Sequence, residues 1–200
     1  MTMRRAVRIA VAFACALAVP IGLAGSSAAA TYPTVPATGN FAWTTANGIL
    51  PTWTADDIAI IGVSPGSVTT ATSALTARVS VPIIAKTGSA NAAGGGFRFN
   101  NVETNASVRC SNPTIDTRAR VVDCVLADGS NANLFTITKI ASAKKVVGTS
   151  TITTVFRGVE LRIADQDMAD YLNDELATMA FSTSVLIGKG DLIVTRDREP

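Results

Sequence analysis

The chain has 200 residues, 48% of them hydrophobic and 16% charged, with 17 basic side chains against 15 acidic ones. That length predicts one domain, two at most; the apolar share suits a packed core rather than a disordered polar chain; and the near-neutral balance argues against a nucleic-acid binder, which carries a basic surplus. Histidine is absent altogether, which excludes Ser-His-Asp and Cys-His triads, imidazole zinc sites and a histidine proton shuttle.

Arg4, Arg5 and Arg8 form a positive head, residues 9–23 an apolar run broken at Pro20, and residues 25–30 a string of small side chains. This order predicts a secretory signal peptide over residues 1–30, with Ala28 and Ala30 as the small-x-small cleavage positions. The run is short for a spanning anchor. Arg4-Arg5 lacks the surroundings of a twin-arginine signal, and Ala12-Phe13-Ala14 makes a poor lipobox before Cys15. Without Arg4, Arg5 and Arg8 the 17 basic residues fall to 14 against 15 acidic, so the basic balance belongs to the leader. No later run is long enough to span a bilayer. The product is expected outside the cell, released or held non-covalently.

Residues 31–51 read as an N-terminal arm, loose and extended where Pro33, Pro36 and Gly39 fall, and residues 52–200 as a single β-rich domain. Phe41, Trp43 and Trp53 flank an Asn47-Gly48 turn and are expected to plug one end of a core; the competing role is a ligand or docking platform. Residues 58–63 are an apolar strand, residues 64–67 a turn, and residues 75–84 a strand that Pro82 confines to an edge or a bulge. Residues 89–96 are small and glycine-rich, a loop. Gly94-Gly95-Gly96 is a poor phosphate cradle, with no lysine or helix behind it. Strands follow at 97–99, 102–109, 121–127, 134–138, 146–156 and 159–163, rich in threonine and branched residues. Lys144-Lys145 is placed in a connection and Arg157-Gly158 between two strands. One late helix is predicted at about 165–178, with Asp165 as N-cap and Met168, Tyr171, Leu172, Leu176 and Met179 as its apolar stripe. Its acids Asp167, Asp170, Asp174 and Glu175 lack the glycine and glutamate of a calcium loop and read as a solvated face. Residues 185–195 close the chain as a strand interrupted by Gly188 and Gly190. Short strands at regular spacing with one late helix predict a mainly β fold, an antiparallel β-sandwich or open barrel.

After loss of the leader, two cysteines remain. Cys110 and Cys124 sit in period-two stretches on either side of the turn chemistry of residues 112–120, so two strands folding back there would bring the sulfurs within bonding reach. A structural disulfide is expected; a redox pair or metal thiolates are the competing readings, disfavoured by the spacing.

The order of features resembles the HtaA-like secreted domains of actinobacteria across residues 52–195. It comprises Ile61-Gly62-Val63, Pro65-Gly66-Ser67, Val79-Ser80-Val81-Pro82-Ile83, Ser111-Asn112-Pro113-Thr114-Ile115-Asp116, Leu134-Phe135-Thr136-Ile137, Val159-Glu160-Leu161-Arg162-Ile163, Ala169-Asp170-Tyr171-Leu172-Asn173, Phe181 and Ile187-Gly188. The resemblance implies an extracellular β-rich domain, some of whose relatives take part in haem uptake through tyrosine and histidine. Here histidine is missing and only Tyr32 and Tyr171 remain, so haem, if bound, would rest on a tyrosine; Tyr171 is the candidate ligand-binding residue, with no metal site.

The function expected is a non-catalytic binding module of the cell envelope or medium, for haem or another apolar ligand. The alternative is a structural or interaction protein of the envelope, docking through Trp43, Trp53 or an exposed edge strand. A hydrolase using paired carboxylates such as Asp56-Asp57 is the third reading, weakened because these acids are accounted for as surface.

Overall fold

The computed structural model describes residues 32–198; the expected leader, residues 1–30, lies outside the described residues. Among the latter, twelve strands and two helices follow one another. The first half runs β1 (Thr34–Pro36), β2 (Thr38–Thr45), α1 (Ile49–Ala55), β3 (Ile58–Val63), β4 (Ser67–Ala71), β5 (Thr76–Thr87), β6 (Ala90–Ala93) and β7 (Gly96–Asn101). The second half runs β8 (Ser107–Asp116), β9 (Val121–Val125), β10 (Asn131–Val147), β11 (Thr151–Ile163), α2 (Gln166–Leu176) and β12 (Gly188–Asp197).

All pairings are antiparallel, and they close: β5 pairs β2, then β12, β11, β10, β9, β8 and β6 follow in order, and β6 returns to β5. The fold is therefore mainly β, an eight-stranded barrel. Closure depends on two strands that change partner along their length. β5 pairs β4 over Thr76–Ser80 and β6 beyond Ile83. β8 likewise pairs β7 over its first half and β6 over its second. At that end β4, β3 and β7 widen the wall, with β3 paired to β7.

Several expectations change. The expected arm, residues 31–51, contains β1, all of β2 and the start of α1: Thr34, Val35 and Pro36 pair with Thr87, Lys86 and Ala85, and β2 lies between β5 and β12 in the barrel wall. Residues 90–93, expected in a loop, form the closing strand β6; alanine and asparagine have weak strand preference, and pairing on both sides overrides it. β4, Ser67–Ala71, follows the expected turn of residues 64–67 in a stretch to which no element had been assigned. Pro82 lies in an interior strand, but where β5 passes from β4 to β6, so its missing N–H costs little. Lys144 and Lys145 belong to β10 rather than a connection, and residues 151–163 are one strand bent at Arg157-Gly158. Helix α1 was not foreseen: seven residues are too few for a periodic signal, yet Ile49 and Trp53, four apart, bury its inner face.

Alternate residues of the strands fill the barrel. Trp43 and Trp53 are fully buried, which makes them the core plug rather than a docking platform. Trp43 stands edge-on to Phe97 and Phe135, and Trp53 to Phe99, at 75–78° between ring planes. Neither indole N–H has a hydrogen-bond partner, and perpendicular packing lets such an edge face an aromatic π cloud. The glycines that interrupt β12 are required by this packing: a Cβ at Gly190 would lie 2.1 Å from the Ala42 carbonyl oxygen and 2.5 Å from the Trp43 Cα. Cys110 and Cys124 are bonded, with their Cα atoms 5.0 Å apart. They tie β8 to β9 beside the point where the ladder is irregular, between Ser111 and Thr114.

Helix α2 starts at Asp165, whose carboxylate accepts the Met168 N–H at 2.8 Å. It ends earlier than expected, at Leu176, with Ala177 left-handed. Its inner face is Ala169, Leu172, Asn173 and Leu176, and Met179 lies outside the helix, 87% exposed. Buried Asn173 exchanges two hydrogen bonds with the Phe181 backbone, and Asn101 donates to the Leu176 carbonyl at 2.8 Å. These bonds fasten the helix over one end of the barrel.

Candidate functional site

The opposite end of the interior leads to a pocket of about 550 Å³, within the range of small-molecule sites. It lies between the start of β1, the β5–β6 turn, the end of β8 and the end of β12, and its principal side chains are Tyr32, Val35, Lys86, Asp116, Arg118 and Arg196.

The strand registers explain why two of the cations face inward. Lys86 stands in one row with Val35, Asn91, Ile115, Val122 and Phe135, each directly opposite the next across the sheet. The last four are buried, and directly opposed residues share a face, so Lys86 occupies a core-facing position at the barrel rim. Arg196 continues the series of buried Leu192 and Val194 along β12 and faces Ile152 of β11.

Asn91 orients the lysine. Its Nδ2 donates to the Ser89 and Ile115 carbonyls at 2.9 and 3.0 Å, which leaves Oδ1 to accept from Lys86 Nζ at 3.2 Å. Burial lowers the Lys86 pKa and the charge of Arg196 lowers it further, against an opposing pull from Asp116. Burial alone would push Asp116 up, but hydrogen bonds from the Ala119 N–H, the Ser89 hydroxyl and the Arg118 N–H, together with the Lys86 charge, hold it below the usual carboxylate range. Asp123 is pushed up by burial and by Asp116. The mouth thus carries three cations against one ionised carboxylate that is already engaged by backbone, an arrangement that favours an anionic guest. Tyr32, 59% exposed, lays its ring on the β5–β6 turn: a Cβ at Gly88, which has φ +57°, would lie 3.0 Å from the ring. Gly88 therefore makes the turn and leaves the floor for the tyrosine.

Outside the pocket lining itself, a wall that is apolar at Ile152 and Phe156 runs on from Arg196 through its ladder partner Ile152. β11 bulges between Phe156 and Val159. Asp191 holds the bulge, accepting the Gly158 N–H at 3.0 Å and pairing with Arg157 at 2.6 Å. Beyond it Phe156 and Thr154 oppose buried Leu192 and Val194. Phe156, Thr154 and Ile152 therefore continue the interior face, with Ala143, Lys145 and Val147 opposite them on β10.

Tyr171 lies elsewhere. It is half-buried on α2 against the core, its phenol pushed up by burial and by Glu175 and Asp128, and it does not line the mouth pocket. Asp56 accepts the Thr178 hydroxyl at 3.0 Å beside α2. Among the described residues no group of three or more acidic or cysteine side chains is placed to hold a metal, and no helix is long and apolar enough to cross a membrane. Sequence reasoning missed Lys86, Arg118 and Arg196 as site residues; the available signal was a lysine in phase with Ala77, Val79, Val81 and Ile83 once the shift past Pro82 is allowed for.

No protein-family model matches the chain, and no curated protein does. Among solved structures, the chain is similar to the crystal structure of heme binding protein HtaB from Corynebacterium glutamicum, at 15% identity and a TM-score of 0.47, over 83% of this chain and 96% of that one.

Proposed function

We propose that the chain is an exported binding module that recognises a small ligand at the mouth of its barrel without turning it over. The ligand is a largely apolar molecule carrying acidic groups, and haem is the first of that class to test. The observation that carries this reading is the juxtaposition of Lys86, Arg118 and Arg196 with Val35 and Tyr32 in one pocket, beside the wall that starts at Ile152 opposite Arg196. Cations at a rim give orientation and an apolar wall gives affinity. The leader pattern and the Cys110–Cys124 bond support export to an oxidising compartment.

The residues fit haem in kind. The three cations suit its propionates, the wall suits the macrocycle, and Tyr32 is the tyrosine at the mouth, a side-chain type that ligates haem iron. Titration with haemin, followed in the Soret band, tests the member; titration with anilinonaphthalene sulfonate, an apolar anion, tests the class. Both are expected to saturate, and both to weaken by about tenfold or more in Lys86→Ala/Arg196→Ala, as loss of charge-assisted bonds implies. Tyr171→Phe is expected to bind as the parent does. Failure of both probes, or full binding by the double variant, refutes the site.

A further inference from the structure

We infer that β10 offers its outer edge, over Ser142–Val147, to an extended acidic segment of a partner protein, which adds as an antiparallel or parallel strand. This docking surface is independent of the ligand reading above.

β9 has five residues and β10 seventeen, and the pairing of β10 with β9 ends at Thr136. Arg120 follows a turn there with φ +61° and passes its carbonyl to the Ile137 N–H, so the neighbouring strand starts only at Val121. Beyond that point β10 continues along β11 as far as Val147, and among the described residues no strand pairs its other side. The phase of the ladder is set at the hairpin: Gly148 N–H donates to the Thr151 carbonyl at 2.8 Å. In an antiparallel ladder inward and outward residues alternate from such a pair. Ser142, Lys144 and Val146 therefore turn their backbone groups to β11, and Ala143, Lys145 and Val147 present N–H and C=O outward. That is a template for strand addition.

Charge selects the occupant. The edge carries Lys139, Lys144 and Lys145, and no acidic residue occurs between Thr138 and Val159. Two such edges repel one another, so a second copy of the chain is disfavoured, and edge lysines serve that purpose in sheet proteins. The same lysines attract a segment with alternating carboxylates. Ala141 and Ala143 keep the flanks low for its side chains, and Val147, 54% exposed, supplies apolar contact.

The test uses two labelled decapeptides, one alternating valine with glutamate and one alternating valine with lysine, with fluorescence anisotropy and amide hydrogen exchange as readouts. The acidic peptide is expected to bind and to protect the amides of Ala143, Lys145 and Val147; the basic one is not. Ala143→Pro removes an outward N–H and spares the bonds to β11; it is expected to weaken binding about tenfold, as loss of ladder hydrogen bonds implies. Lys139→Glu/Lys144→Glu/Lys145→Glu leaves the backbone alone and is expected to reverse the preference between peptides. Equal binding of both peptides, binding of neither, an unaffected Ala143→Pro variant, or protection of the same amides through self-association without peptide overturns the inference.

Discussion

Replacement of both bonded cysteines, Cys110→Ala/Cys124→Ala, gives a direct measure of what the single covalent tie does. The bond closes a loop of sequence separation 14, for which the chain-entropy relation gives about 3 kcal/mol. Two features of the site bear on that figure. Both sulfurs are buried, so the alanines leave small voids that add to the loss. The bond also stands beside the irregularity at Ser111–Thr114, where Asn112 has φ +46° and the ladder contributes least. For a domain of this size each kcal/mol is about 2–4 °C in Tm, so the double variant should melt about 6–12 °C below the parent. Calorimetry at neutral pH, with urea unfolding to check that the m-value is unchanged, measures it. Parent treated with reductant should fall to the same range. A variant melting within about 2 °C of the parent would refute the loop-closure reasoning.

Gly190→Ala should destabilise by on the order of 3 kcal/mol, because its methyl group meets backbone of Ala42 and Trp43 rather than a side chain that can swing away; urea unfolding measures this. Asp116→Asn tests the depressed carboxylate. A folded-state pKa below the ordinary 3.8 contributes stability that is present above that value and lost as pH falls through the lower folded one. The parent–variant gap in denaturation midpoint should therefore be largest near neutrality and close in acid, and a gap independent of pH would contradict it. Lys86→Met should weaken capture of apolar anions. Because burial lowers the lysine, the charged form opposes folding below its folded pKa, and the parent should gain stability relative to the variant as pH rises through that value toward 10.5. Melting temperatures across neutral to alkaline pH read the trend.

The parts legible in the sequence were those set by local chemistry. Residues 58–63 are apolar enough to announce a strand, Asp165 before an amphipathic run announces a helix start, and period-two flanks around Cys110 and Cys124 place two strands side by side. What escaped depended on partners distant in the chain. Ala90–Ala93 has no strand signature of its own and forms one because β5 and β8 flank it. Residues 138–147 show no alternation because neither side of that stretch is deeply buried, so the lysines there read as loop. The mouth is the extreme case: Tyr32, Lys86, Asp116 and Arg196 come together only after eight strands close. Tyr171 drew attention because it lies on a recognisable helix, and the geometry sets it against the core instead.

A single mismatch in strand length underlies both surfaces. Had β9 matched β10, its extra residues would cover the β10 edge, and the added sheet would cross in front of the rim where Arg118 and Asp116 now stand. The five-residue β9 instead leaves Lys139–Val147 without a neighbour while β11 and β12 carry Ile152 and Arg196 onward as the back wall of the mouth. The long β10–β11 hairpin is stabilised at its base by barrel packing and beyond it by ladder bonds and the β11–β12 pairing alone, so its outer half should exchange amide hydrogens faster than the barrel strands. Exchange measured with each ligand in turn separates the two surfaces. An apolar anion at the mouth should protect amides at Lys86 and near Arg196, an added strand those at Ala143, Lys145 and Val147. If one ligand protected both sets equally, the rim and the edge would be a single site, and the division drawn from the strand registers would be wrong.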